Sequence, residues 1–423
     1  MDFLLRFFVK RIINKYQPKV IGIFGDEEKD ITKHAVFSIL FSKFKSEVRK
    51  SQDNPEASPS VVGLTVLGLD LGASWSQVLF RGLGLWLFGG KYPKYLVVAY
   101  PVNAPGKIET FIKLLKPRIA IIGEINDRNV EYFTSLQQEI EEKGKIASSL
   151  DQDDLLILGV DSKNVVSIKK KAHCNVLGYG FLDGAQIQAK EFTIWQNKDA
   201  DVETDEKLLG VAFKLVYQGS TVPFALPGVF GADHVRAVLA SIPIAMSADM
   251  NLMQISEFFR RDYQPSRGRL NLVKGIKHTM ILDDSYDATP YSMDLALETL
   301  GLLKVQAPRE RFAILGSMNS LGGRSEGEHR EIGRKVEEVK IDYLVSVGER
   351  ARDIMRGARE AGMPEDRCYY FGTPEEAGKF IQNRLEKGDL MLVCGGYEMR
   401  MEKIVKELMS EPMRAEMILA KKE

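Results

Sequence analysis

The sequence predicts an α/β protein of two domains, each built on a largely parallel sheet. In the stretch KVIGIFGDEEKDITKH, Lys19 to His34, a β-branched apolar run, a glycine turn at Gly25 and an amphipathic segment predict a strand, a loop and a helix. Short apolar runs alternate with helical patterns along both halves of the chain, as in parallel sheets covered by helices. The length of 423 residues is enough for two or three separate cores.

Residues 1–18 predict a basic amphipathic helix. Its apolar side chains lie largely on one side and its basic side chains toward the other: Phe3, Leu4, Phe7, Phe8, Ile12 and Ile13 against Arg6, Lys10, Arg11 and Lys15. The segment is too short and too charged to span a bilayer, and it lacks a signal-peptide pattern. Two uses remain open, peripheral contact with the inner membrane surface and docking on the chain's own domain.

The first domain is predicted over residues 19–262. A helix is expected at 31–44, an exposed Pro- and Ser-rich loop at 49–60, and an apolar core or interface helix at 78–88. Beyond these, strands and helices alternate, and β-rich segments from about Asn175 to Leu226 predict an antiparallel extension of the parallel sheet.

The loop after the first strand resembles a phosphate-binding loop in its position but not in its chemistry. The pattern GxxxxGK[ST] needs a glycine where Glu28 stands and a Ser or Thr where Asp30 stands, although Lys29 is present. With Asp26 and Glu27, the loop carries four carboxylates, which would repel an anionic ligand unless a metal intervenes.

The second domain is predicted over residues 263–423, after a Pro- and Gly-containing boundary within RRDYQPSRGR, Arg260 to Arg269. Five strand–helix alternations follow from Thr279 to Met409. They predict a Rossmann-like, doubly wound domain.

Composition excludes some classes of partner. Acidic and basic residues number 58 each, so no overall field favours nucleic acid. The three cysteines, Cys174, Cys368 and Cys394, are far apart and form no CxxC pair, which indicates a reducing cytoplasm and no zinc site.

Three motifs in the second half carry a family resemblance: DDSYDATPYSMDLALETL, LGSMNSLGGRSEGEHREIG and GDLMLVCGGYEMRMEKIVKEL. In this order they resemble the Mur ligases, and among these the MurF type, which adds D-alanyl-D-alanine to a peptidoglycan precursor. The resemblance implies a central ATP-binding domain of P-loop type and a C-terminal ligase domain. It also implies that the UDP-binding domain usual before the central domain has no counterpart in this sequence.

The resemblance assigns roles to several residues. Lys29 matches the loop lysine, with Gly25 and the Thr32 hydroxyl beside it as nucleotide-binding positions, and Lys143 matches a lysine that the family carbamylates into a metal ligand. In the second domain, Arg269 matches an arginine brought to the nucleotide, and Asp283 and Asp284 match a pair of acids. For three of these a structural use is open as well: a solvated Lys29, a surface Lys143, and an Arg269 that pairs with Asp283 or Asp284.

Other positions depart from the family pattern. Ala99 stands in place of a metal-binding glutamate and Asn129 in place of a metal-binding histidine. Cys394 replaces a lysine and Tyr397 an arginine near the end of the chain. Among the loop residues, Asp30 or Glu28 could replace a lost metal ligand.

Two functions follow as alternatives. The first is a catalytically degenerate MurF-like protein, cytoplasmic or associated with the inner membrane, that needs no cofactor and binds a cell-wall precursor or an active Mur ligase. The second is an active, divergent ligase that uses ATP and Mg²⁺ to join D-alanyl-D-alanine or a similar amine to a UDP-muramoyl-peptide-like carboxylate through an acyl phosphate.

Overall fold

The computed structural model describes residues 2–52, 59–126, 132–196, 209–303, 309–319 and 321–420. It divides into two compact units. The first comprises Met1–Glu191, Phe213–Phe224 and Asp233–Gln264, and the second comprises Phe192–Ala212, Ala225–Ala232 and Pro265–Glu423. The predicted boundary between residues 262 and 263 stays a prediction.

The larger sheet has nine strands in the part of the chain that is described, in the order β2-β3-β1-β4-β5-β6-β7-β8-β9. The strands are β1 Lys19–Phe24, β2 Val48–Lys50, β3 Tyr95–Ala99, β4 Ile119–Ile122, β5 Leu155–Gly159, β6 Asn175–Gly180, β7 Ile187–Gln196, β8 Leu209–Tyr217 and β9 Ser220–Pro227. All neighbouring pairs from β2 to β7 are parallel. Strands β1, β3 and β4 are almost entirely buried, as expected for a parallel sheet that helices cover on both faces.

The predicted antiparallel extension begins later than the sequence suggested. Strand β6 continues the parallel sheet beside β5. Strands β8 and β9 are joined by a two-residue turn, and both turn residues, Gln218 and Gly219, have positive φ. Such a turn joins antiparallel strands, so the extension lies in this hairpin.

Nine helices in the described ranges accompany this sheet. They are α1 Asp2–Tyr16, α2 Lys29–Phe44, α3 Pro59–Leu67, α4 Trp75–Leu83, α5 Lys107–Leu114, α6 Leu136–Ser149, α7 Lys163–Val166, α8 Ala232–Met246 and α9 Leu252–Arg261. The loop predicted at 49–60 is only partly a loop, because Arg49 and Lys50 belong to β2 and α3 begins at Pro59; residues 53–58 lie outside the described ranges. The apolar stretch 78–88 is helical, with α4 continuing into a π-helical turn at Gly84–Phe88.

Helix α1 docks on its own unit, one of the two uses left open. Leu5, Phe8, Val9 and Ile12 are buried in the same core cluster as Val62, Val66 and Val78 of the neighbouring helices. Glycine allows the close approach of α4, since a Cβ at Gly82 would overlap the ring of Phe8. No helix within the described ranges is long and apolar enough to cross a membrane.

The second unit contains a six-stranded sheet in the order β10-β11-β15-β12-β13-β14, counted over its described part. Its strands are β10 Asn271–Lys274, β11 Met280–Asp284, β12 Arg311–Gly316, β13 Tyr343–Val347, β14 Cys368–Phe371 and β15 Leu390–Cys394. Only the β10–β11 pair is antiparallel among these pairs. The helices are α10 Pro290–Leu302, α11 Ser325–Glu338, α12 Ala351–Glu360, α13 Pro374–Arg384, α14 Glu402–Leu408 and α15 Ala415–Ile418. The predicted α/β fold class, with a parallel central sheet and a doubly wound C-terminal sheet, is confirmed.

Candidate functional site

The loop between β1 and α2 lies at the carboxyl end of a central parallel strand, with a helix N-terminus behind it. Ligand phosphates commonly bind at such a place in α/β proteins. Gly25 begins the loop at a φ of +140°, and a Cβ there would lie 3.3 Å from the carbonyl oxygen of Glu124. Glycine is therefore required at Gly25 by both backbone conformation and space.

The side chain of Glu28 lies inside this loop. It is only 2% exposed, and its Oε1 accepts a hydrogen bond from the Glu124 backbone amide at 2.9 Å. A Cβ at Gly123, the residue after β4, would overlap the Glu28 carboxyl group. Burial, and then the negative charge of Asp233, raise the pKa of Glu28 to about 7, although Arg236 opposes the shift.

Lys143 is not the surface residue that the sequence left open as an alternative. Its ammonium is buried and forms ion pairs with Asp26 and, at 2.6 Å, with Glu139. Asp26 also accepts a hydrogen bond from the Asn126 backbone amide at 3.1 Å. Carbamylation would replace the Lys143 cation by an anion between two carboxylates, so these neighbours suit the unmodified lysine.

The other two loop carboxylates also contact groups of the protein. Glu27 accepts a hydrogen bond from the Asn126 side-chain amide at 2.9 Å, and Asp30 forms an ion pair with Lys33 at 3.2 Å. The expectation that four carboxylates face a ligand is therefore corrected, because partners within the first unit hold each of them.

The remaining predicted positions in the first unit have mixed outcomes. Lys29 Nζ donates to the backbone oxygen of Asp26 at 3.3 Å. The Thr32 hydroxyl is buried and has no hydrogen-bond partner among the described residues. Ala99 ends β3 and places a methyl group where a metal-binding carboxylate was expected, and Asn129 lies outside the described residues.

Several charged residues of this site were missed by sequence reasoning. Arg236 of α8 bridges Asp161 at 3.1 Å and Asp233 at 2.9 Å, and its charge acts on Glu28. Burial raises the pKa of Glu124 as well. Glu124 follows β4 and Asp161 follows β5, and carboxyl ends of parallel strands meet at one sheet edge, so strand order was the signal available for them.

The second unit gathers its own predicted residues around two buried acids. Asp283 accepts from the Ser285 backbone amide at 3.1 Å, and the Cys394 thiol donates to Asp284 at 3.3 Å. Burial raises the pKa of Asp284 to about 7, although the charge of Arg269 lowers it. Arg269 itself donates to the backbone oxygen of Asp287 at 3.0 Å.

The resemblance implies ATP and Mg²⁺ at the β1–α2 loop, and the residues around the loop fit them poorly. The Glu28 carboxyl group already accepts the hydrogen bond of the Glu124 backbone amide, so this donor is not available to a phosphate oxygen. Across the described ranges, no three His, Cys, Asp or Glu side chains converge where they could hold a metal ion. The loop as folded suits a protein carboxyl group better than a phosphate.

Comparisons with known proteins agree with the resemblance. The model of the Mur ligase middle domain matches residues 92–242, and that of the Mur ligase glutamate ligase domain matches residues 268–397. The UDP-N-acetylmuramoyl-tripeptide--D-alanyl-D-alanine ligase of Bacillus subtilis is 23% identical over 412 residues, covering 97% of this chain and 80% of the relative. The enzyme of the same name from Borreliella burgdorferi is 24% identical over 407 residues, covering 95% and 77%.

Solved structures of MurF share the fold. A MurF crystal structure from Acinetobacter baumannii superposes with a TM-score of 0.74 at 22% identity, covering 95% of this chain and 79% of that one. MurF from Thermotoga maritima, in complex with ADP, superposes with a TM-score of 0.74 at 18% identity, covering 98% and 84%. With its middle and C-terminal domains both matched, the chain belongs to the Mur ligase family.

Proposed function

We propose that this chain is a MurF-type homologue that no longer drives ligation with ATP and Mg²⁺, and that it acts in peptidoglycan precursor synthesis as a binding or scaffolding protein. Its partner would be a UDP-muramoyl-peptide-like precursor or an active Mur ligase. The observation that carries this proposal is the buried Glu28 carboxyl group inside the loop where nucleotide phosphates would bind.

The environment of Lys143 supports the proposal independently. A lysine that becomes a metal-binding carbamate must tolerate a negative charge, yet Asp26 and Glu139 lie in direct contact with its ammonium. Removal of either partner of a buried ion pair is strongly destabilising, because the other charge is left buried without compensation. We infer that Lys143 serves the stability of the first unit.

A second candidate function is an active, divergent ligase of the same specificity as the MurF relatives. One observation favours it, the buried Thr32 hydroxyl that lacks a hydrogen-bond partner among the described residues. Thr32 lies two residues beyond the Ser or Thr position of the phosphate-loop pattern, which Asp30 occupies, and its hydroxyl would have to take over the role of the Mg²⁺ ligand from the first turn of α2. Glu28 would then have to leave the loop when the nucleotide binds.

Isothermal titration with a non-hydrolysable ATP analogue and Mg²⁺ distinguishes the two functions. We expect a flat titration for the folded wild-type protein, because the loop holds its own carboxyl group. Glu28→Gly restores the glycine of the phosphate-loop pattern and is the matched gain-of-binding variant. Lys29→Ala is the matched loss-of-binding variant.

Micromolar binding by the wild-type protein that disappears in Lys29→Ala would overturn the proposal and support the ligase. Weak binding that appears only in Glu28→Gly would support the proposal, since the Glu28 carboxyl group would then be the obstacle to nucleotide binding. Circular dichroism of each variant establishes that a flat titration comes from folded protein.

A further inference from the structure

An apolar surface is exposed on the helix that runs from α4 into the π-helical turn. Phe80 is 73% exposed, Leu87 is 57% exposed and Phe88 is 88% exposed. All three side chains belong to the continuous helical segment from Trp75 to Phe88. Trp75, at the start of α4, is 63% exposed. Large apolar side chains grouped in this way usually mark an interaction site.

This helix is fixed in place by α1. Lys15 donates to the backbone oxygens of Leu85 at 3.1 Å and Trp86 at 2.7 Å, and Tyr16 donates to Leu85 at 3.0 Å. The guanidinium of Arg11 lies over the Trp86 ring, 5.0 Å from its centroid. The apolar face of α1 is therefore buried in the first unit, whereas the outer side of α4 and of the π-helical turn is exposed to solvent.

The sequence around this surface carries an excess of basic residues, although Lys94 forms an ion pair with Glu47 at 2.7 Å. Residues 71–94 contain three basic residues and no acidic residue, and residues 1–18 contain four basic residues and one acidic residue. The whole chain, in contrast, is balanced at 58 of each sign. Arg6, Lys10 and Lys91 are exposed, and so is Phe3 near the start of α1.

We propose that the exposed apolar side chains Phe80, Leu87 and Phe88, together with Trp75 at the start of α4, bind the surface of an anionic phospholipid bilayer. The apolar side chains would enter the headgroup and acyl boundary while the lysines and arginines attract the negative headgroups. Aromatic side chains and arginine are common in protein interfaces as well, but lysine is depleted there, and the exposed Lys10 and Lys91 favour the bilayer as the partner. Tryptophan at such a boundary is also typical of membrane-surface proteins. The inference does not depend on whether the loop binds a nucleotide.

Flotation of the full chain with liposomes tests the inference. We expect the protein to float with vesicles of phosphatidylglycerol and phosphatidylcholine, not with phosphatidylcholine alone, and to dissociate as NaCl rises from about 0.05 M to about 0.5 M, because salt screens the charges. The variant F80S/L87S/F88S is expected to lose at least about tenfold in vesicle affinity without losing its fold, since all three side chains are exposed. Brominated lipids should quench tryptophan fluorescence in the wild type and much less in Trp75→Phe.

The control variant M253S/L302S/M413S removes three apolar side chains that are exposed elsewhere. It should bind vesicles like the wild type. Equal flotation of F80S/L87S/F88S and the wild type would overturn the inference, and so would failure of the wild type to float. A wild-type dimer that F80S/L87S/F88S converts to a monomer in light scattering, without vesicle binding, would assign the surface to a second copy of the chain and also overturn it.

Discussion

Replacement of Glu28 by glutamine tests the electrostatics of the loop. The Glu28 pKa is raised to about 7 from an ordinary value of 4.5. Below pH 4.5 the carboxyl group is protonated in both the folded and the unfolded chain, so its ionisation has no effect on the free energy of unfolding. As the pH rises from 4.5 to about 7, the carboxyl group loses its proton in the unfolded chain first, and the folded state is progressively destabilised. The full loss above pH 7 is about 3 kcal/mol, from about 1.4 kcal/mol per pKa unit.

Glutamine cannot ionise, and its side-chain oxygen can still accept the hydrogen bond of the Glu124 amide. Glu28→Gln should therefore be more stable than the wild type at pH 8, relative to pH 5, by up to about 3 kcal/mol. Urea denaturation followed by circular dichroism at both pH values measures this difference, and the pH 5 comparison removes any effect of the substitution that does not depend on ionisation. A difference between the two proteins that is the same at pH 5 and pH 8 would refute the placement of a buried, high-pKa carboxyl group in the loop.

Three further substitutions probe the packing in the first unit. Gly123→Ala should destabilise the wild type by about 1–3 kcal/mol in urea denaturation, because its methyl group overlaps the Glu28 carboxyl, and much less in the Glu28→Gly background; equal losses would contradict the contact. Lys143→Met should lower the free energy of unfolding by about 3–5 kcal/mol, since it leaves two buried carboxylates without their cation, and a loss below about 1 kcal/mol would argue against the buried ion pairs. Gly82→Ala should lower the melting temperature through its overlap with α1, whereas Gly84→Ala, which meets nothing within 4 Å, should leave it unchanged or raise it; equal shifts would contradict the docking of α1.

The sequence predicts the fold well because helices, strands and turns leave signals within short stretches of the chain. Apolar periodicity and glycine turns identified β1, the loop, α2 and the alternating elements of the second unit within a few residues. The sequence predicts a loop at Arg49 and Lys50 because the stretch 49–60 is rich in Pro, Ser and Asn, and only pairing with β3 makes these two residues part of strand β2.

The site was harder to predict because its partners are distant in sequence. Asp26 and Lys143 are 117 residues apart, so the sequence could place Lys143 on a charged helix but not bury it between two acids. The one local signal was Glu139, four residues before Lys143 on α6 and therefore on the same helix face. In the same way, the sequence shows four acids in the loop and predicts that they repel an anionic ligand. The partners of these acids, Lys143, Asn126, the Glu124 amide and Lys33, are known only from the folded chain.

Turnover tests the loss of ligation most directly. The purified protein is incubated with ATP, Mg²⁺, UDP-N-acetylmuramoyl-tripeptide and D-alanyl-D-alanine, and ADP and the ligated product are measured by chromatography and mass spectrometry. We predict neither ADP nor product above the level of heat-inactivated protein, in the wild type and in Lys29→Ala alike. ADP formed in step with the ligated product by the wild type, and lost in Lys29→Ala, would contradict the proposal and identify the chain as an active ligase.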